Sequence, residues 1–167
     1  MRPLTGFPLP PPMRRALDLA ALAAEAGEVP VGAVITRDGE IIAEARNAMH
    51  GSLDPTAHAE MTAIRHAATR LGRARLDGCI LWVSLEPCAM CAGAISLARI
   101  DALRFAAEDP KGGGVVHGAR IFNQPTCHHR PEVLSGIGEA EAAAQLKSFF
   151  KERRSEKGAV RVDDAPI

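Results

Sequence analysis

Between Met13 and Ala107 short β-type runs alternate with helical patterns, and this alternation limits the architectures open to the chain. Leu17, Ala20, Ala21 and Ala24 recur at helical spacing, which predicts a helix over Met13–Ala26 stopped by Gly27. Two β-type runs follow, Val31–Thr36 and Glu40–Ala45, and Asp38-Gly39 between them is a strong two-residue hairpin signal. After the turn-rich stretch Asn47–Thr56, Ala59–Leu71 reads as a helix ended by Gly72 and Cys79–Leu85 as a buried strand. Ala89–Ala98 reads as a further helix and Ala102–Ala107 as a further strand. The order predicts an α/β fold of three layers, α/β/α, with a mixed central sheet and helices on both faces.

A length of 167 residues allows one domain and a short remainder. Residues 1–12 form a Pro-rich head without periodicity, expected to be disordered or extended, and the domain proper is expected over 13–155. Residues 109–131, with Gly112, Gly113 and Gly114 in a row, predict a long irregular loop, a feature that in compact domains is functional or disordered. Glu132–Ile137 predicts a short edge strand, Glu139 to about Arg154 a helix, and 156–167 a frayed tail. No apolar run approaches the ~18 residues of a membrane span. Without the apolar core of a signal peptide the protein is expected in the cytoplasm. Lys plus Arg and Asp plus Glu both number 20, which excludes coating nucleic acid by bulk charge and leaves local patches open.

Two segments carry chemistry: His58-Ala59-Glu60 and Pro87-Cys88-Ala89-Met90-Cys91, each at the expected mouth of a helix. His58, Cys88 and Cys91 supply three N/S ligands, the number for a catalytic zinc whose fourth position stays open to water. Cys88 and Cys91, three apart, share a helix face, and the positive helix end favours their thiolates. Glu60 lies two residues from His58, so it reaches the same water only if His58 sits at the helix mouth; there it can move a proton without ligating the metal. A lone C-x-x-C could instead be a redox pair, but the H-x-E segment beside it favours zinc hydrolysis. Cys79, inside an apolar strand, is expected to be a small core residue. Cys127-His128-His129 lacks a second ligand pair at suitable spacing.

These segments, read as Asp54-Pro55-Thr56-Ala57-His58-Ala59-Glu60 and Leu85-Glu86-Pro87-Cys88-Ala89-Met90-Cys91-Ala92-Gly93-Ala94, closely resemble the bacterial tRNA adenosine deaminases of the cytidine-deaminase-like superfamily. The resemblance extends through Glu28–Val34, Asn47 and the C-terminal Phe149-Phe150-Lys151 with Arg153-Arg154, and covers roughly residues 13–155. It implies the cytidine-deaminase-like fold, one zinc ion per subunit, a homodimer, and conversion of adenosine to inosine at the wobble position of a tRNA anticodon loop with release of ammonia. In that reading Glu60 is catalytic and Asn47 hydrogen-bonds the target base. Ala59 and the backbone around Leu85 to Pro87, Pro87 included, are candidate pocket walls, and Asp109 and Lys111 candidate RNA contacts.

Arg65, Arg70, Arg73 and Arg75 fall in a stretch without acids, and Lys147, Lys151 and Arg154 form a stripe beside Phe149 and Phe150. Basic residues beside aromatics suit a single-stranded loop with an unstacked base, although such a stripe can equally be a core face. Free guanine or cytosine deaminases share both motifs and are the alternative. Ala89 stands where guanine deaminases tend to have proline. A zinc-stabilised RNA-binding subunit is a third reading, disfavoured by Glu60. The chain departs from the family pattern at Glu108, where arginine is frequent, and over Val115–Arg130, which is longer and differently composed.

Overall fold

The computed structural model describes residues 8–163, with side chains to residue 158. Four helices and five strands occur in this order: α1 (Pro11–Glu25), β1 (Gly32–Arg37), β2 (Glu40–Arg46), α2 (Ala59–Leu71), β3 (Cys79–Leu85), α3 (Ala89–Leu97), β4 (Ala102–Ala107), β5 (Glu132–Ser135) and α4 (Glu139–Asp163). The sheet runs β2-β1-β3-β4-β5. β1 pairs antiparallel with both β2 and β3, whereas β3–β4 and β4–β5 are parallel. The mixed sheet expected from the alternation is therefore present. Asp38 and Gly39 take φ of 51° and 80°, the double positive-φ turn that a two-residue hairpin requires.

Alternation along the strands divides the core between the two faces. Ala33 and Ile35 of β1 join Leu81 and Val83 of β3 and Phe105 of β4 under α2 and α3. Val34 points the other way, into the cluster of Met13, Ala16 and Leu17 of α1 with Ala142 of α4. Three layers result, with α2 and α3 on one face and α1 and α4 on the other. The α2 residues in the core are Ala59, Ala63 and Ala67, spaced by four, so the helix presents a ridge of methyls to the sheet. Cys79 is fully buried in this core, as expected.

Boundaries differ from the pattern by more than one residue at three places. Pro11 and Pro12, expected in the head, are the first residues of α1, because proline's fixed φ and missing N–H are tolerated in a first helical turn. β5 stops at Ser135, and the next amide, Gly136 N–H, donates to Phe105 O and Ala106 O. α4 continues past Arg154 to Asp163, through part of the expected tail. The expected disorder at residues 1–7 and 164–167 lies outside the described residues. The long 109–131 segment is irregular as expected, apart from one 3₁₀ turn at Ile121–Asn123; Val115 and Phe122 pin it to the core. No described helix is long and apolar enough to cross a membrane.

α1 approaches β1 closely at Gly32. A Cβ built there would meet Ala16 O and lie 2.7 Å from Ala20 N and 2.8 Å from Leu19 Cβ. Backbone cannot yield as a flexible side chain would, so Gly32→Ala should destabilise the fold by about 2–3 kcal/mol. A reduced urea midpoint at unchanged slope is the expected readout.

Candidate metal centre and active site

The topology gathers four chain segments at one end of the sheet. β3 ends at Leu85 opposite Ala107 of β4, and the antiparallel neighbours place the start of β1 and the end of β2 beside them. Asp54 then shapes the entry to α2: its Oδ1 accepts from Thr56 N–H at 2.8 Å and from Thr56 Oγ1–H at 2.7 Å. That turn seats His58 as the extended residue before α2, with φ −71° and ψ 150°. Cys88 occupies the equivalent position before α3, with φ −69° and ψ 173°. Neither side chain caps its own helix, so both are free to face outward.

His58, Cys88 and Cys91 converge, with ligand atoms all within 4.8 Å of one another. His58 Nδ1 is 3.6 Å from Cys88 Sγ and 3.6 Å from Cys91 Sγ. Tetrahedral zinc, with Zn–N of about 2.0–2.1 Å and Zn–S of about 2.3 Å, separates its nitrogen and sulfur ligands by about 3.6 Å. The donor set fits zinc in type and in spacing. Among the described residues no second group of three donors converges in this way, and His129 of the Cys127-His128-His129 run binds Ile100 O at 2.6 Å.

Electrostatics give the same answer. Glu60 is 4% exposed, and Cys91 Sγ–H donates to its Oε2 at 3.3 Å. A hydrogen bond from Cys91 brings the Cys88 thiol down to about 4, with His58 adding to the effect. Cys91 moves up because it keeps the proton shared with Cys88 and because it is buried beside Glu60. Burial also pushes the Glu60 carboxyl above the usual range, and the Cys88 contact raises His58. Three acidic groups thus crowd one imidazole in a buried spot, and protons hold them together; a divalent cation can replace those protons.

The cluster opens into a cavity of about 240 Å³ lined by Val31, Asn47, Met49, Glu86 and Asp109 as well as by His58, Glu60 and Cys88. This is smaller than the roughly 300–1,000 Å³ of pockets for drug-sized ligands, so it suits a single ring system.

A family model of the cytidine and deoxycytidylate deaminase zinc-binding region matches residues 11–107. The chain is 53% identical over 142 residues to the tRNA-specific adenosine deaminase of Agrobacterium fabrum, covering 85% of this chain and 93% of that protein. The chain belongs to the tRNA-specific adenosine deaminases. Their Bacillus subtilis member is 44% identical over 149 residues, or 89% of this chain and 92% of that one. A solved structure from a study of A-to-I editing by tRNA:A34 deaminases superposes with a TM-score of 0.80 at 52% identity, covering 81% of this chain and 98% of that chain. The guanine deaminase of Bacillus subtilis superposes less well, with a TM-score of 0.60 at 39% identity and coverage of 82% and 91%.

In this adenosine deaminase family member the other expected site residues separate into two groups. Asn47, 5% exposed, and Asp109 line the cavity with the metal cluster. Ala59 does not: it is fully buried in the core under the sheet. Pro87 is buried behind the cavity, and its carbonyl accepts from Gly114 N–H at 2.8 Å. Lys111 is exposed, and its backbone N–H donates to Asp109 Oδ1. Phe149, Phe150, Lys151 and Arg154 lie on α4, in the other helical layer, and none lines the cavity of its own chain. Phe149 is buried with its ring 5.0 Å below the Arg153 guanidinium, which itself donates to Gly27 O. Phe150 stays 45% exposed, as do Lys151 and Arg154 to a large degree.

Sequence reasoning put the Glu86 backbone at the pocket wall, where Leu85 and Glu86 do line the cavity, but missed the Glu86 side chain and Glu28, two acids with residue exposures of only 2% and 4%. Glu86 was detectable as a charge closing an apolar strand before Pro87, and Glu28 as an acid between α1 and β1. Glu28 Oε1 accepts from Gly51 N–H and fixes the loop that carries Asn47 and Met49.

The deaminase should purify with one zinc per chain, and Cys91→Ser should lose it by metal analysis. A thiol with pKa of about 4 is thiolate above that pH, so after chelation Cys88 should be alkylated by iodoacetamide at pH about 6 while Cys91 is spared. Zinc should protect Cys88, and mass spectrometry of the peptides checks both outcomes.

Proposed function

We propose that the chain converts adenosine to inosine at the wobble position, residue 34 of the tRNA anticodon, with uptake of water and release of ammonia. The observation that carries this reading is Glu60, a buried carboxyl at the metal cluster facing a cavity of single-ring-system size that also holds Asn47. His58, Cys88 and Cys91 hold one zinc, which when bound lowers the pKa of water to ~7 and so supplies a nucleophile at neutral pH.

Glu60 accepts a proton from the attacking water as the C6–O bond forms and gives it to ring N1; it then takes the second proton from the new C6 hydroxyl and passes it to the amino group, which leaves as ammonia as the C6–N bond breaks and the C6 carbonyl forms. Burial holds this carboxyl above its usual range, which suits a group that both takes and returns a proton. The Asn47 side chain makes no hydrogen bond among the described residues, which leaves its amide free for a base edge; its backbone N–H is held by Val31 O at 2.9 Å. An adenine reaches such an enclosed site only when its nucleotide is turned out of the anticodon loop.

The loop contacts in this reading come from Asp109 at the cavity, Lys111 at the rim and the exposed Lys151, Phe150 and Arg154. Because the α4 residues do not line their own cavity, a homodimer acting in the cytoplasm belongs to the same reading. The greater similarity to an A34 deaminase than to a guanine deaminase supports RNA over a free base.

Ammonia release from an anticodon stem-loop, guanine and cytidine, measured in parallel, tests the substrate. Turnover of the stem-loop alone is expected, and turnover of guanine without the RNA refutes the proposal. Glu60→Gln should keep its zinc and lose about 10²–10⁴-fold in kcat. Near-normal turnover in that zinc-loaded variant would remove Glu60 from the mechanism.

A further inference from the structure

The Gly112-Gly113-Gly114 run has no place in the chemistry above, and its surroundings explain it. Beyond it, the backbone N–H groups of Val115, Val116 and His117 all point at one oxygen, Glu86 Oε1, at 3.2, 2.9 and 3.0 Å. The other oxygen, Oε2, accepts from Asp109 N–H at 2.8 Å and meets His117 Nδ1 at 2.9 Å. Successive amides converging after glycines make a cradle for an anion, commonly a phosphate. Here the anion is a side chain of the protein itself, with its carboxyl fully removed from solvent.

The glycines make that enclosure possible. A Cβ on Gly113 would collide with the Glu86 carboxyl and lie 2.6 Å from Asp109 O, and one on Gly114 would lie 2.5 Å from Ala89 N. Glu86 sits two residues before Cys88, and Asp109 and Gly112 of the clamped loop both line the cavity. One carboxylate therefore ties the substrate-facing wall to the strand end that presents the metal ligands.

We propose that Glu86 is a positioning residue for the deamination reaction: with His117 as its latch it holds the Asp109–His117 loop as the wall against which the flipped nucleotide is bound. The role rests on the RNA deaminase reading for its substrate, but the clamp itself can be measured without turnover. Zinc binding does not depend on the clamp, because no ligand atom belongs to the loop.

Zinc-loaded Glu86→Gln is compared with the wild-type chain by metal analysis, hydrogen exchange and steady-state kinetics on an anticodon stem-loop. Full zinc content is expected, with exchange at the amides of Asp109 and Val115–His117 faster by about tenfold or more. KM should rise about tenfold with kcat changed far less, since the wall binds and does not react. Protection of those amides equal to wild type overturns the clamp. Loosened amides with unchanged KM overturn the substrate-wall role, and so does a loss confined to kcat. If the wild type itself releases no ammonia from RNA, the functional reading fails, while exchange still decides the clamp. Should Glu86→Gln not fold, His117→Phe removes only the latch; a several-fold rise in KM with faster exchange at residue 117 is expected, and no change in either refutes the proposal.

Discussion

Two thiols, a carboxyl and an imidazole are brought within a few ångströms of one another at the floor of a cavity, Cys91 and Glu60 buried and His58 and Cys88 half-buried, and the rest of the molecule exists around that constraint. Such a cluster is unstable as a set of free ions, because burial penalises every charge in it. Zinc resolves the conflict by supplying two positive charges where two thiolates and a nearby carboxylate would otherwise repel. The fold contributes the geometry. His58 and Cys88 are the residues before two helices whose positive ends meet at the site, and both helices are anchored to the sheet by buried alanine and isoleucine side chains.

What could be read from the sequence is what depends on near neighbours. The hairpin follows from Asp38-Gly39, the order and kind of the strands and helices from local periodicity, and the ligand set from spacings of two and three residues. Legibility fails where a residue's role depends on distant chain. Pro11 and Pro12 read as breakers, yet the chain before them arrives extended at Pro10, and α1 can begin on them. Ala59 lies between His58 and Glu60 of the site in sequence but points to the core, because neighbours in a helix diverge by about 100°. Glu86 shows no local sign of its partners, which lie 23 to 31 residues downstream.

The charge pattern is a further case. An acid-free run of arginines reads as a nucleic-acid patch, but Arg70 donates to Ile42 O and Arg73 to Asp77 O, so half of the run secures loops and strand ends. Arg153 is drawn away in the same manner by Gly27 O and the face of Phe149. Exposed cations remain elsewhere, among them Arg65, Lys111, Lys147, Lys151 and Arg154. With no net charge behind them, a nucleic-acid surface here is built from local groups of cations and not from bulk charge.

Enclosure of the site depends on the direction of the strands. β3 and β4 run parallel, so their carboxyl ends lie side by side and Glu86 N–H donates to Ala107 O. This is where α/β sheets place their ligands. β1 runs the other way and β2 reverses again, which brings the start of one and the end of the other to the same edge. The metal ligands, Val31, Asn47 and Asp109 therefore come from five places in the chain, four of them at strand ends of one hydrogen-bonded sheet and the fifth, His58, at the mouth of α2. An all-parallel sheet would carry the chain away from that edge between strands. The hairpin returns it within two residues, which sets Asn47 at the cavity directly after β2.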